Sequence, residues 1–371
     1  MDWHGYNKGH GAYQQADCAK AIRYFDSVID GWRLADMGQF VAHAQQQKSE
    51  CIPFQAAVDK QQAGEMPAAI LAYLGFLDQY QNSILAGAAR SRIASMFESS
   101  EPSTLASQET CGIIDRLLGG NLIPQPGTHL PPFYLACGRL YEAAEDWQSS
   151  SSMYKAILIS YPSHLLAPQA EKSLIENPVS CDEFEALKNS VIGQRIDFMP
   201  SLYFHCGQTY ERNENWEKAI AAYETLLAEY PTHAYAPDAE VGLVHAIVTI
   251  SQSNSAGEIP PPEVSGTTGN DLSEVIIQNS SPERLRIVFS GPESRVEELE
   301  ACSSCATYTG TGPLFCPEQG PQGSYTLAPG PYDVVVESIS DSGVTPWTGN
   351  WNLTSGDAYS TCIFLVTQIL Q

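Results

Sequence analysis

Two hydrophobic periods divide the chain. In 216–229, Ala219, Ile220, Tyr223, Leu226 and Leu227 recur at three- and four-residue steps, one apolar stripe along a helix. Tyr230-Pro231 ends that helix, because proline breaks the hydrogen-bond ladder and restricts the residue before it. Beyond residue 271 the period falls to two. Leu285, Ile287 and Phe289 share one side, with Arg284, Arg286 and Val288 on the other; Tyr332, Val334 and Val336 alternate likewise, as do Ile363 and Leu365. Between the regimes, Ser251–Asp271 is rich in Ser, Gly and Pro and reads as a linker stiffened by Pro260-Pro261-Pro262. The expected fold class is α + β in separate domains: helices over 1–250, a linker over 251–271, and an antiparallel β-sandwich over 272–371.

Self-comparison exposes a duplication. Leu130–Glu171 aligns on Met199–Glu240 (130–171 on 199–240) at a constant offset of 69, without a gap. Cys137-Gly138 meets Cys206-Gly207, Trp147 meets Trp216, Tyr154 meets Tyr223, and Tyr161-Pro162-Ser163-His164 meets Tyr230-Pro231-Thr232-His233. The stretch 200–233 resembles a tetratricopeptide repeat (TPR), its pattern held by Tyr203, Cys206, Gly207, Tyr210, Ala219, Tyr223 and Pro231. In 131–164 the same positions are Tyr134, Cys137, Gly138, Tyr141, Ser150, Tyr154 and Pro162. Residues 50–83 match through Ala69, Tyr73 and Tyr80, and 2–35 through Gly9, Ala21, Phe25 and Trp32. The spelling Ala-x3-Tyr-x6-Tyr-Pro is similar to bacterial cell-envelope TPR proteins. That resemblance implies an α-solenoid in which each two-helix unit buries the face its neighbour leaves open. The wide spacing of units predicts extra helices near 84–98, 107–119, 165–176, 181–191 and 236–251. Farther on, 323–336 looks like the Y-x-L-x-P-G-x-Y-x-V-x-V hairpin of carboxypeptidase-regulatory-like β-sandwiches. Trp347, Trp351 and Tyr359 are its expected large core side chains.

Ten cysteines are the main candidate functional residues: Cys18, Cys51, Cys111, Cys137, Cys181, Cys206, Cys302, Cys305, Cys316 and Cys362. Cys111 with Cys137 and Cys181 with Cys206 recur in the two copies at nearly the same separation, which favours disulfides and an exported protein over buried thiols. A helix ending near Gly119 and another starting near Pro131 would hold Cys111 and Cys137 at similar heights, at ~1.5 Å rise per residue. Cys18 and Cys51 pair by elimination. Cys302-Ser303-Ser304-Cys305, with Cys316 and Cys362, leaves two readings open: disulfides, or a structural zinc with four thiolate ligands.

Charge removes whole classes of partner. The 371 residues carry 19 Lys+Arg against 43 Asp+Glu, a formal net charge of −24. After Lys218 there is no lysine, and 219–371 holds only Arg284, Arg286 and Arg295 as cations. Phosphate-backbone binding needs clustered cations, so nucleic acid is excluded, as is charge-driven docking on anionic lipid. No run of ~18 apolar residues marks a membrane span, and the start lacks the basic and apolar regions of a signal peptide. Either the protein is cytosolic, or a targeting or anchoring segment has been removed and Met1 is not the native start. The cysteine placement favours an extracytoplasmic site, in the cell envelope or at the cell surface.

Catalytic motifs are absent: no H-E-x-x-H, G-x-S-x-G, Walker loop or G-x-G-x-x-G. Gly310-Thr311-Gly312 lacks the following helix that phosphate binding requires. His164 and His233, equivalent residues after Tyr-Pro, read as caps of the next helix, and Glu297-Glu298-x-Glu300 as a solvated acidic face. The expected function is a non-enzymatic protein–protein interaction scaffold or adaptor without a cofactor, binding protein partners and open to self-association. Two alternatives stand beside it: a structural subunit of a surface assembly or filament, and a carbohydrate-binding module in the β domain.

Overall fold

The predicted two-helix units are closed by one local device. In the computed structural model, which describes residues 2–31, 38–253, 256–310, 312–313, 315–317, 319–339 and 343–367, the chain forms two compact units, 1–194 and 195–371. Met1, Trp32 and Thr311, on which expectations also rest, lie outside the described residues. In the first unit α1 (Asp2–Gln14) pairs with α2 (Cys18–Gly31), and α3 (Gly38–Gln62) with α4 (Met66–Gln79). After α5 (Leu85–Ser99) come three short helices, α6 (Pro102–Leu105), α7 (Gln108–Cys111) and α8 (Ile114–Gly119). Then α9 (Pro126–Ala143) pairs with α10 (Trp147–Ser160), followed by α11 (Ala167–Ile175), a 3-10 turn at Pro178–Cys181, and α12 (Phe184–Lys188). In the second unit α13 (Phe198–Arg212) pairs with α14 (Trp216–Glu229), and α15 (Ala236–Ser253) packs on both.

The device is a left-handed residue two positions before the second helix of each pair: Ala16 (φ 56°), Gly64 (φ 80°), Glu145 (φ 58°) and Glu214 (φ 56°). It reverses the chain within a few residues. Asp146 and Asn215 then cap the next helix, accepting from Ser149 N–H at 3.1 Å and Lys218 N–H at 3.4 Å. Inside the α1/α2, α9/α10 and α13/α14 pairs, a glycine on the first helix receives an aromatic ring from the second. A Cβ on Gly9 would lie 2.6 Å from Phe25, and one on Gly138 2.4 Å from Tyr154. Phe25, Tyr73 and Tyr154 are fully buried, each contributing ~1.5–3 kcal/mol of hydrophobic stabilisation.

All five extra helical segments exist, with two changes. The segment 107–119 is split at Gly112 and Ile113: a helix that opens on the Ser107–Thr110 capping box ends at Cys111, and the next starts at Ile114. The segment 181–191 shrinks to α12. The helix expected to start near Pro131 begins at Pro126 and carries Pro131 and Pro132 inside it. Cys18–Cys51 joins α2 to α3 and Cys111–Cys137 joins α7 to α9.

The strands are β1 (Gly257–Glu258), β2 (Glu263–Thr267), β3 (Ser273–Asn279), β4 (Leu285–Ser290), β5 (Ser294–Leu299), β6 (Tyr308–Thr309), β7 (Gln322–Leu327), β8 (Gly330–Ser338), β9 (Trp347–Leu353), β10 (Asp357–Ile363) and β11 (Val366–Thr367). One sheet runs β1-β9-β8-β4-β5, a second β2-β10-β3-β7, and β11 pairs with β6. The two larger sheets share one core: Leu285, Ile287, Phe289, Tyr332, Val334, Val336 and Trp351 from the first, Val275, Ile277, Tyr325, Leu327, Tyr359 and Ile363 from the second. The β-sheet region is mixed rather than purely antiparallel, since β1/β9, β3/β10 and β6/β11 pair parallel. The segment 251–271 contributes the end of α15, β1 and β2; Ile259 is buried, and Trp351 Nε1 donates to Pro260 O at 3.1 Å.

The expected 323–336 hairpin is overturned. β7 pairs with β3 and β8 with β4 and β9, so the chain crosses between sheets at Ala328-Pro329. Gly330 makes the crossing at φ 143°, where a Cβ would lie 2.7 Å from Pro292. On the other face of the first sheet Val288 pairs with Val335, both fully buried, and α15 lies against β4, β5, β8 and β9. The sheet is thus covered on both sides. Arg286 on that face binds Glu224 of α14 at 2.7 Å and Glu337 of β8 at 3.0 Å.

Candidate functional site

Two helix faces meet over the repeat at 200–233. On α13, Phe204, Gln208 and Glu211 follow one another at four and three residues; on α15, Asp238, Val241 and His245 follow at three and four, with Gly242 beside Val241. Together they line an open groove of about 430 Å3 with Tyr223 of α14 at its floor. The floor is reached because two glycines leave room. A Cβ on Gly207 would lie 2.4 Å from the Tyr223 ring, and one on Gly242 2.5 Å from it.

The polar groups are held in a chain. Tyr223 Oη donates to Glu211 Oε2 at 2.9 Å, and Glu211 Oε1 lies 3.0 Å from His245 Nδ1. Burial, and then the Glu211 charge, push the Tyr223 phenol well above its ordinary range. His245 meets Trp216 edge-on at 5.8 Å. At the rim Phe204 stacks on Tyr235, centroids 4.7 Å apart and planes 7° from parallel. Tyr235 is 38% exposed and Val241 54%. The lining therefore offers an aromatic ledge, an exposed aliphatic side chain, two carboxylates and an imidazole, with no lysine or arginine among the described lining residues.

The duplicated copy keeps the first of the two glycines, has Ser173 in place of Gly242, and changes the rest of the lining. At offset 69, Gly207, Glu211 and Tyr223 match Gly138, Glu142 and Tyr154. Phe204, Gln208, Asp238, Val241 and His245 are replaced by Leu135, Arg139, Gln169, Lys172 and Glu176.

Of the residues singled out in the sequence, Gly207 and Tyr223 are at the groove and the others below lie elsewhere. His164 and His233 occupy the same local position: each Nδ1 accepts a backbone N–H at 3.2 Å, from Leu166 and Tyr235, just before a helix. His233 Nε2 also lies 3.5 Å from Asp197. All ten cysteines are disulfide-bonded. The four weighed as zinc ligands have their sulfurs in Cys302–Cys305 and Cys316–Cys362. Glu298 and Glu300 pair with Arg284 at 2.6 and 3.5 Å, and Glu297 with Arg295. Trp351 and Tyr359 are core residues and Trp347 packs against that core. Apart from Tyr223, the lining residues were not singled out; their sequence signal is the spacing 204/208/211 and 238/241/245.

Residues 200–233 match the family model of the tetratricopeptide repeat. The chain thus carries a TPR in an N-terminal helical region, followed by a β-sheet region. Among solved structures it is similar to the crystal structure of the P58(IPK) TPR domain, at 14% identity, covering 69% of this chain and 80% of that one, with a TM-score of 0.21. No curated protein matches the chain. TPR-type folds are in general non-catalytic modules that bind protein partners. No helix among the described residues is long and apolar enough to cross a membrane.

Proposed function

We propose that this protein is a non-enzymatic protein–protein interaction scaffold of the bacterial cell-envelope type, working outside the cytoplasm. Its helical part, 1–250, is the binding platform; the β-sheet region 272–371, joined through 251–271, supplies a second contact. One observation carries the reading: the groove between α13 and α15 sits on the matched repeat and is aromatic at its rim and acidic within. A segment that fits it presents a lysine or arginine toward Glu211 and Asp238, and an apolar side chain to Phe204 and Tyr235. Disulfide bonding of all ten cysteines supports the oxidising location.

A random short-peptide library selected on the full chain tests the function. Enriched peptides should combine a cation with an apolar residue. Phe204→Ala and Glu211→Gln should each weaken them about tenfold, as groove anchors do. Selection without enrichment, or binding in both variants unchanged from the wild type, would overturn the proposal. The location is checked on material from the native host: alkylation under denaturing, non-reducing conditions should label no thiol.

A further inference from the structure

A second pocket, of about 670 Å3, lies in the first unit and plays no part in the proposed scaffold role. Its wall is a ladder between two helices. Tyr6, His10 and Tyr13 of α1 meet His43, Gln47 and Glu50 of α3, every pair 37 residues apart. Tyr6 Oη lies 2.5 Å from His43 Nδ1, Gln47 Nε2 lies 2.9 Å from His10 Nδ1, and Tyr13 donates to Glu50. Ser83, after α4, closes the ladder by donating to Glu50 at 2.6 Å. A wall pinned at each rung keeps its shape when a ligand arrives.

The carboxylates in this pocket already have partners. Glu50 accepts two hydroxyls, and the exposed Asp78 is paired with Arg116. No lysine or arginine lines the pocket among the described residues, and His10 and His43 are hydrogen-bonded within the ladder. Around the ladder, beside exposed His43, stand the exposed carboxamides Gln14, Gln46, Gln79, Gln81 and Asn82. A carboxamide offers two donors and an acceptor in one plane, which matches the edge of a vicinal diol. Tyr80, its ring stacked on Phe76 at 5.2 Å, adds an aromatic surface for a ring's C–H face. The volume is that of a small-molecule site, while such sites are usually apolar; so polar a lining selects a ligand that is polar and neutral.

We propose that this pocket binds a neutral oligosaccharide. A glycan array on the full chain, followed by calorimetric titration with maltotriose, cellotriose and chitotriose, tests it. At least one neutral oligosaccharide should bind saturably. The double variant Gln46→Ala/Gln81→Ala, at two exposed positions that the fold does not need, should weaken it about tenfold, a loss of ~1.4 kcal/mol. Phe204→Ala, which spoils the peptide groove, should leave it unchanged, so this proposal and the scaffold reading fail separately. An array blank for neutral glycans, binding only to acidic glycans or peptides, or an affinity unchanged in the double variant would each overturn it.

Discussion

Gly207 and Tyr223 meet so closely that a single methyl on the glycine would lie 2.4 Å from Cε1 of the ring. Gly138 stands in the same relation to Tyr154. Gly207→Ala and Gly138→Ala should each destabilise the protein by ~1–3 kcal/mol, the usual cost of overpacking. Gly75, exposed in α4 with nothing within 4 Å of its missing Cβ, is the contrast: Gly75→Ala should stabilise by ~0.5–1 kcal/mol. Urea unfolding of the three variants shows whether the signs differ.

The reversing turns make a second pair of opposite signs. Glu214 holds φ 56°, a conformation costing an L-residue ~1–2 kcal/mol, whereas Gly64 holds φ 80° without that cost. Glu214→Gly should be neutral or stabilising by up to ~1 kcal/mol once glycine's extra unfolded-state entropy is subtracted. Gly64→Ala should lose ~1 kcal/mol. Thermal melts decide, and a destabilised Glu214→Gly would mean that its side chain contributes more than the turn strain.

Arg286 governs a pH term. Burial raises the Glu337 carboxyl above its ordinary value near 4.5, and Arg286 partly opposes that shift. A carboxyl with a raised value binds protons more readily folded than unfolded. Its contribution is therefore present below the ordinary value and lost as pH rises through the raised one. Stability relative to Glu337→Gln should fall with pH over that window. Arg286→Met should stretch the fall to higher pH and cost about 3 kcal/mol at neutrality, the low end for breaking a buried pair. A wild-type difference that is flat with pH would refute this.

Alkaline behaviour follows the buried phenols. Tyr13, Tyr73, Tyr154 and Tyr325 are each pushed up to about 12, burial being the largest cause. A phenol raised in the fold stabilises it fully below pH 10, and that share is lost as pH climbs to 12. Tyrosinate absorbance should show exposed tyrosines ionising first, then a cooperative step in which these four titrate as the protein unfolds. A single smooth titration centred near 10 would contradict it.

The helical half was legible because its signals are local. The step from Ala219 to Leu227, the stop at Tyr230-Pro231 and the 69-residue offset act within one helix or one repeat, and α14 ends at Glu229 as they require. The crossing from β7 to β8 was not legible. A hairpin and an inter-sheet arch both need alternation around a Pro-Gly turn, and the choice is made by distant partners, β3 and β4. The sites were hidden for the same reason. Glu211 and His245 look like solvated helix residues until α13 meets α15, and Tyr13 with Glu50 becomes a pair only across 37 residues.

The helix α15 finally sets a limit on how this molecule could have grown. Solenoids lengthen by copying a unit and stacking it on a bare helical face, as the 69-residue offset records here. α15 spends one side on α14 and another on the strands β4, β5, β8 and β9, so only its groove-facing side, with Val241 exposed, is left bare. A copy stacked after this helix would have to cover the groove or dislodge the sheet. New units are gained upstream without that cost, and the repeat at 200–233 keeps the sheet as its fixed neighbour.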